Sequence, residues 1–329
     1  MSPDDLVPAG GPPFSDLDLG PDEGINEPLE PRLGKEFDVA PVSGKRRRRE
    51  WVQLLFDALH YRRTQMGLAL FLFIVAIAVI GPYFAPYSPS EFVTMPFAKP
   101  TAKAVFGGDN LGRDVLTRVL YGGRSVLILA TIATAIGMIL GVSLGLTAGY
   151  ARTAIDEGIM RLLDVVLAFP SIVLVLLMVS VLGPRPWLIV LIVGVTHAPP
   201  LARVVHGVTQ DVRQRDFVEA AESLGVSHLK IAFTEILPNI TSPLVVEFGL
   251  RLTYSIGTIA SLSFLGFGMQ PPAADWGLMI NENRMGLIIQ PYAVFVPVML
   301  IAILTIGVNL FSDGIGHALI GLDRDTGSA

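Results

Sequence analysis

The stretch SVLILATIATAIGMILGVSLGLTAGYA, residues 125–151, runs for 27 residues without an Asp, Glu, Lys or Arg. A bilayer core of about 30 Å is crossed by about 20 helical residues. One charge at its centre costs roughly 2.5–3.5 kcal/mol on the insertion scale. A run this long and this clean reads as a membrane span. Five more charge-free runs obey the same rule: Thr64 to Ser90, Val165 to Pro184, Pro186 to Ala202, Leu252 to Ala274 and Met285 to Ser312. They predict an all-α integral membrane protein with six transmembrane helices near 64–87, 125–150, 163–183, 186–207, 238–268 and 286–312, within a membrane domain over 64–322. The fourth run is expected to continue past Arg203, a side chain that can snorkel. The fifth is expected to begin near Pro238, with Glu247 and Arg251 in its first turns. Pro170, Pro199-Pro200 and Pro297 are read as interruptions of spans three, four and six, of the kind tolerated where neighbouring helices or a wet cavity satisfy the freed carbonyls.

Composition agrees with a membrane solvent. Of 329 residues 51% are hydrophobic and 16% charged, where a soluble domain carries about 25% charge. The absence of cysteine excludes a disulfide framework, a thiolate metal site and a cysteine nucleophile. The net charge of −5 is uneven: residues 1–44 hold ten acids and two bases, leaving 19 acids and 22 bases elsewhere. With eight prolines, six glycines and two aromatics, that segment is expected to be a disordered acidic tail. It has no apolar core of a signal peptide. A basic juxtamembrane segment, 45–63, opens with Lys45-Arg46-Arg47-Arg48-Arg49 and reads as an orientation signal; nucleic-acid or nuclear-targeting readings are the alternatives. Counting Lys and Arg near the spans gives fourteen on the tail's side and seven on the other. Both termini, including the short tail 323–329, are therefore expected in the cytoplasm.

Several spans carry local features. Gly137, Gly141, Gly145 and Gly149 recur every fourth residue on span two, a face that lets another helix approach closely, either within the chain or in another subunit. His197 beside Pro199-Pro200 is read as a buried, hydrogen-bonded histidine before a substrate or proton site. Glu247 and Arg251, acid first at four-residue spacing, are expected to pair or to line the mouth of a pathway. Asp109 to Leu120 reads as an amphipathic helix on the outer membrane boundary, ended by Gly122-Gly123, an anchor or a docking element.

Between spans four and five, the loop 208–237 contains Asp216-Phe217-Val218-Glu219-Ala220-Ala221-Glu222-Ser223-Leu224-Gly225, a second helical stretch, and Pro238. A short helix with small residues, followed by a turn glycine, is suited to plug into a groove of a soluble partner. This segment resembles the "EAA" loop of binding-protein-dependent ABC importer permeases. Leu111 to Leu116 with Tyr121 to Arg124, Ser263 to Pro272 with Trp276-Gly277, and Asn309 to Gly314 are similar to segments of the dipeptide, oligopeptide and nickel permeases of the "C" subunit type. The resemblance covers about residues 50–325. It implies a type I importer permease fold, with Glu219, Ala220, Ala221, Glu222, Gly225 and Pro238 in the loop that couples to the ATPases. It points to Arg113, Asp114, Arg118 and Trp276 as candidates for outer docking. Gly137, Gly141, Gly145, His197, Glu247, Arg251 and Asn309 are candidates for the pathway or its packing. The implied partners are a homologous permease, two cytoplasmic ATPases, an extracytoplasmic peptide-binding protein and the lipid of a bacterial inner membrane, with no nucleic acid.

No lysine is followed by Ser or Thr, so the chain has no Walker A loop. ATP and Mg are then held by the partners, with no cofactor, metal or catalytic residue here. Ser227 and Lys230 have the spacing of a serine-nucleophile pair but lack its companion motifs, and the five histidines make no metal site by spacing. Peptides are the expected cargo; a nickel chelate or another small solute is the alternative. A stand-alone secondary transporter, from a different class, would hold ion-coupling carboxylates near the midplane, which the six runs lack.

Overall fold

A computed structural model describes residues 59–151 and 153–326, with side chains placed to residue 317. The acidic tail 1–44 and the basic run 45–49 lie outside the described residues, as do residues 327–329. The elements, in chain order, are α1 (Arg62–Ile80), α2 (Val115–Tyr150), α3 (Thr153–Leu167), α4 (Ser171–Leu182), α5 (Pro186–Arg213), α6 (Asp216–Ser223), α7 (His228–Ile231), α8 (Leu237–Asn239), α9 (Thr241–Phe264), α10 (Trp276–Asn283) and α11 (Tyr292–Thr326). A π-turn, Ala232–Ile236, joins α7 to α8. Among the described residues extended pairing is limited to the isolated bridges Phe92–Arg113 and Gly108–Asp114. The bundle is described below with residues 85–114 and 265–291 at its upper end and 214–239 at its lower end.

Four helices are long and apolar enough to cross a membrane alone: α1 with its 3-10 extension to Phe84, α2, α5, and α11 to His317. Two bent pairs bring the number to six. The first is span three, interrupted at Pro170 as expected. It is two helices, α3 and α4, meeting at 77°, because Pro170 stands in extended backbone at ψ 122° and pushes the residue before it out of the helical region. The second corrects span five. Residues 228–239 and 241–264 meet at 73°, so the long helix starts at Thr241 and not at Pro238. The determinant is Pro243, which lacks the N–H that would bond Asn239 O and whose ring crowds that carbonyl. Pro199-Pro200 and Pro297, expected as interruptions, sit inside unbroken helices. Span six starts at Tyr292, six residues after its expected beginning, and its helix runs to Thr326, past the expected boundary at 322.

Helix contacts are set by small residues. A Cβ on Gly141 would lie 2.7 Å from Leu201 Cδ2, and one on Gly145 2.6 Å from Ala202 O; Gly137 and Gly149 face His197 and Thr209 the same way. The four glycines therefore seat α2 directly on α5. A second, reciprocal seat joins α1 to α11, where a Cβ on Gly67 would lie 2.4 Å from Phe311 N and one on Gly307 2.8 Å from Phe71 N. The main core lies between these pairs, with Ile74, Val126, Val193, Ile256, Leu262 and Leu304 buried in one cluster.

Candidate functional site

The lower end carries a short helix offered to solvent. Helix α6 follows α5 after a two-residue corner, and Gly225 closes it at φ 73°, a left-handed conformation that side-chain-bearing residues rarely adopt. Val218 is buried, and Ala221 and Val226 pack against the same cluster, formed by Leu146 of α2, Leu201, Val205 and Val212 of α5, and Ile231, Ile236 and Ile240 below them. Positions 218 and 221, three apart, thus form the inner face of α6. Ala221 belongs to this fastening face, which corrects its expected groove-facing position. Glu219 and Ala220 are exposed. Phe217 at 38% and Leu224 at 82% exposure add apolar surface beside them. Pro238 sits at the start of α8.

Glu222 is held by a polar knot. The Tyr150 hydroxyl, in the last turn of α2, donates to Glu222 Oε1 at 2.5 Å. Its one proton being spent there, it accepts from His228 Nδ1 at 3.1 Å. The Arg213 guanidinium lies 5.2 Å from the centre of the Tyr150 ring. These groups line a cavity of about 610 Å³ with Leu146 and Phe233. No local spacing pairs Glu222 with Tyr150, which lies 72 residues away.

The upper end is closed by charges that are not on the surface. Asp109, Arg113, Asp114 and Arg118 are all buried. Asp109 Oδ2 accepts from Arg113 Nε at 2.7 Å and Arg118 Nη1 at 2.6 Å. Glu282 Oε2 accepts from Arg113 Nη2 at 3.0 Å and Arg118 Nη1 at 2.6 Å. Asp114 caps α2, accepting from Thr117 N and Oγ1. Trp276 is fully buried and donates from Nε1 to Val119 O at 2.9 Å. Its ring lies against Gly122 and Gly123, where added Cβ atoms would come within 2.7 Å and 2.6 Å. The expected amphipathic surface helix ending at Gly122-Gly123 is corrected accordingly. Residues 109–114 form turns around the ion cluster, and α2 runs through both glycines, which are the seat for Trp276. Arg113, Arg118 and Trp276 tie residues 273–282 to the start of α2, Asp114 caps that helix, and all four side chains are buried. Asp275 caps α10 through Leu278 N and accepts from Ser125 Oγ at 2.6 Å. Burial pushes its carboxyl up, against these bonds, which pull it down.

The remaining candidates lie along the spans. His197 is buried in α5, its Nε2 without a hydrogen-bond partner among the described residues, so the expected bond is not present. Asn309 is exposed on α11. Glu247 and Arg251 do pair, with Oε2 2.9 Å from Nε and 2.7 Å from Nη2. The start of α9 at Thr241 places Glu247 in its second turn and Arg251 in its third, close to the expected first turns. Arg251 lies about 15 Å along a helix about 36 Å long.

Residues 141–320 match the family described as binding-protein-dependent transport system inner membrane component. Residues 62–100 match the N-terminal TM domain of oligopeptide transport permease C. The chain is 37% identical over 264 residues to the glutathione transport system permease protein GsiD of Pectobacterium atrosepticum, covering 79% of this chain and 88% of that protein. It is 38% identical to the GsiD of Escherichia coli O6:K15:H31, covering 79% and 87%. Among solved structures, a chain from inward facing conformations of the MetNI methionine ABC transporter aligns with a TM-score of 0.45 at 16% identity, over 60% of this chain and 96% of that one. With a family match over more than half its length and relatives of this identity and coverage, the chain belongs to the binding-protein-dependent inner membrane permeases of ABC importers, in the dipeptide and oligopeptide branch.

Proposed function

We propose that this chain is one of two homologous membrane subunits of an ATP-driven importer for peptides. Its lower end faces the cytoplasm, as do both termini, and its upper end receives cargo from an external binding protein. Two separate ATPase subunits bind and hydrolyse ATP with Mg, since this chain has no phosphate loop. Closure of the ATPases on ATP moves their grooves, the grooves carry α6 of each permease, and the path between the permeases changes the side to which it opens. The observation that carries the reading is α6 itself: an exposed eight-residue helix, fastened by Val218 and Ala221 and presenting Phe217, Glu219, Ala220 and Leu224. The names of the relatives support a peptide-like cargo, glutathione being a tripeptide.

The test is co-purification of the ATPases with the permease pair, followed by binding-protein-stimulated ATP hydrolysis in vesicles. Ala220→Arg puts a long charged side chain on the docking face, where buried hot-spot losses run about 2 kcal/mol or more. Gly225→Val forces a β-branched residue to positive φ. Both variants are expected to insert and pair while losing ATPase recruitment or coupled turnover. Full recruitment and full stimulated turnover in both would remove α6 as the coupling element.

A further inference from the structure

Helix α9 has two faces of opposite character. Gly249, Leu252, Ser255, Ile256 and Ile259 are buried. Gly249 lies against Ser312 of α11, and Ser255 bonds Thr134 of α2 at 2.9 Å. At 100° per residue, Glu247, Arg251, Tyr254, Thr258 and Ser261 fall within about 80° of one another on the opposite side. These five positions, spaced four, three, four and three, are all polar, and none of them is buried. Tyr254 is 59% exposed, and a Cβ on neighbouring Gly257 would meet nothing within 4 Å. Lipid does not solvate a charged and hydroxylated stripe that runs most of the length of a span, so such faces turn to a bundle interior or a water-filled cavity. The ion pair is also incomplete. Only Oε2 of Glu247 is used. Among the described residues Oε1 and the Arg251 Nη1 atom take no protein partner, and the Arg251 guanidinium stands 6.0 Å from the Tyr254 ring centre.

We propose that this stripe is the chain's wall of the translocation path, and that Arg251 and Glu247 form a charge clamp for a zwitterionic peptide, Arg251 taking its carboxylate and Glu247 its ammonium group. The second clause rests on the peptide reading above; the first does not. Mutual pairing keeps both charges compensated while the path is empty. The unused Nη1 and Oε1 atoms let cargo add charge-assisted bonds without first breaking the pair, so cargo is held weakly and passes on.

Two measurements on the assembled transporter in vesicles test this. The chain has no cysteine, so Thr258→Cys and Ser261→Cys can be labelled with a membrane-impermeant thiol reagent, with Ile139→Cys on α2 as a lipid-exposed control. Labelling of both α9 variants in at least one nucleotide state, with the control unlabelled, is expected; absence of labelling at both in every state overturns the wall assignment. The second measurement compares uptake of a free-acid peptide and its C-terminal amide, using the same binding protein for native complex and variant. Arg251→Gln is expected to bring the acid-to-amide uptake ratio down by about tenfold, the scale of losing one hydrogen bond to a charged group. An unchanged ratio overturns the clamp. If Arg251→Gln does not assemble, Glu247→Gln with an N-acetylated peptide makes the same comparison at the other terminus, and an unchanged ratio there overturns the clamp equally. A native complex that hydrolyses ATP but moves no peptide refutes the peptide reading and the clamp with it, while labelling still decides the wall.

Discussion

Arg118 shows what a buried charge does in this chain. It has no exposed surface and bridges Asp109 to Glu282, and its Nη2 also bonds Ala273 O at 3.1 Å. Removing Arg118 leaves Asp109 and Glu282 sharing Arg113 alone, one buried charge short of compensation, a loss of about 3–5 kcal/mol. Arg118→Met should therefore lower the melting temperature of the purified permease strongly. Arg118→Lys keeps the charge but not the fork and should fall between. Equal melting of both variants and the parent would show that the cluster is not structural. Asp275 gives a pH signature. Its folded pKa is raised, so the contribution that favours folding is complete below the unfolded value of about 3.9 and is lost as pH rises through the folded value. Asp275→Asn should make melting less sensitive to that rise, while Asp275→Ala loses the cap and the Ser125 bond at a cost of about 1–2 kcal/mol. Melting followed over acidic to neutral pH distinguishes the three proteins.

At the scale of elements, stability rests on helices brought close by glycine. Gly141→Leu drives a branched side chain into Leu201, and Gly67→Leu drives one into the backbone of α11. Each should cost about 1–3 kcal/mol or prevent assembly. Gly158→Ala in α3, where nothing lies within 4 Å, should be neutral or gain up to about 1 kcal/mol. Expression, monodispersity and melting of the three variants measure this directly. The glycine face on α2 was legible in the sequence because its members are four residues apart. The α1–α11 seat was not, because Gly67 stands alone in α1 and its counterparts Gly307 and Gly314 are seven apart on α11, so the seat is meaningful only when the two helices are brought together. The spans were legible from their lack of charge, as was the bend at Pro170; the bend before α9 was displaced from expectation because Pro243 acts on the carbonyl four residues before it. The upper charges were misread for a related reason. A helical wheel places Arg113 and Arg118 on a polar face, whereas Glu282, the residue that buries them, is 164 residues from Arg118.

For the molecule as a whole, the short helix α6 and the family were readable from one loop because α6 is local: its residues, its turn glycine and its exposure follow from ten consecutive positions. The burial of Arg118 was not, because its partners Asp109, Ala273 and Glu282 come from segments far apart in the chain. Helix α2 joins these levels. It contains 36 residues, about 54 Å at 1.5 Å per residue, against about 30 Å of hydrocarbon. It has no proline. Its first turn carries Arg118, locked in the upper ion cluster, and its last carries Tyr150, bonded to Glu222 of α6. Under the proposed function such an element should act as a push-rod: with no proline to hinge it, displacement applied at Glu222 is expected to reach the upper ion cluster. Spin labels near residues 116 and 147 should therefore hold one fixed separation through the whole nucleotide cycle, while distances from either label to α9 change.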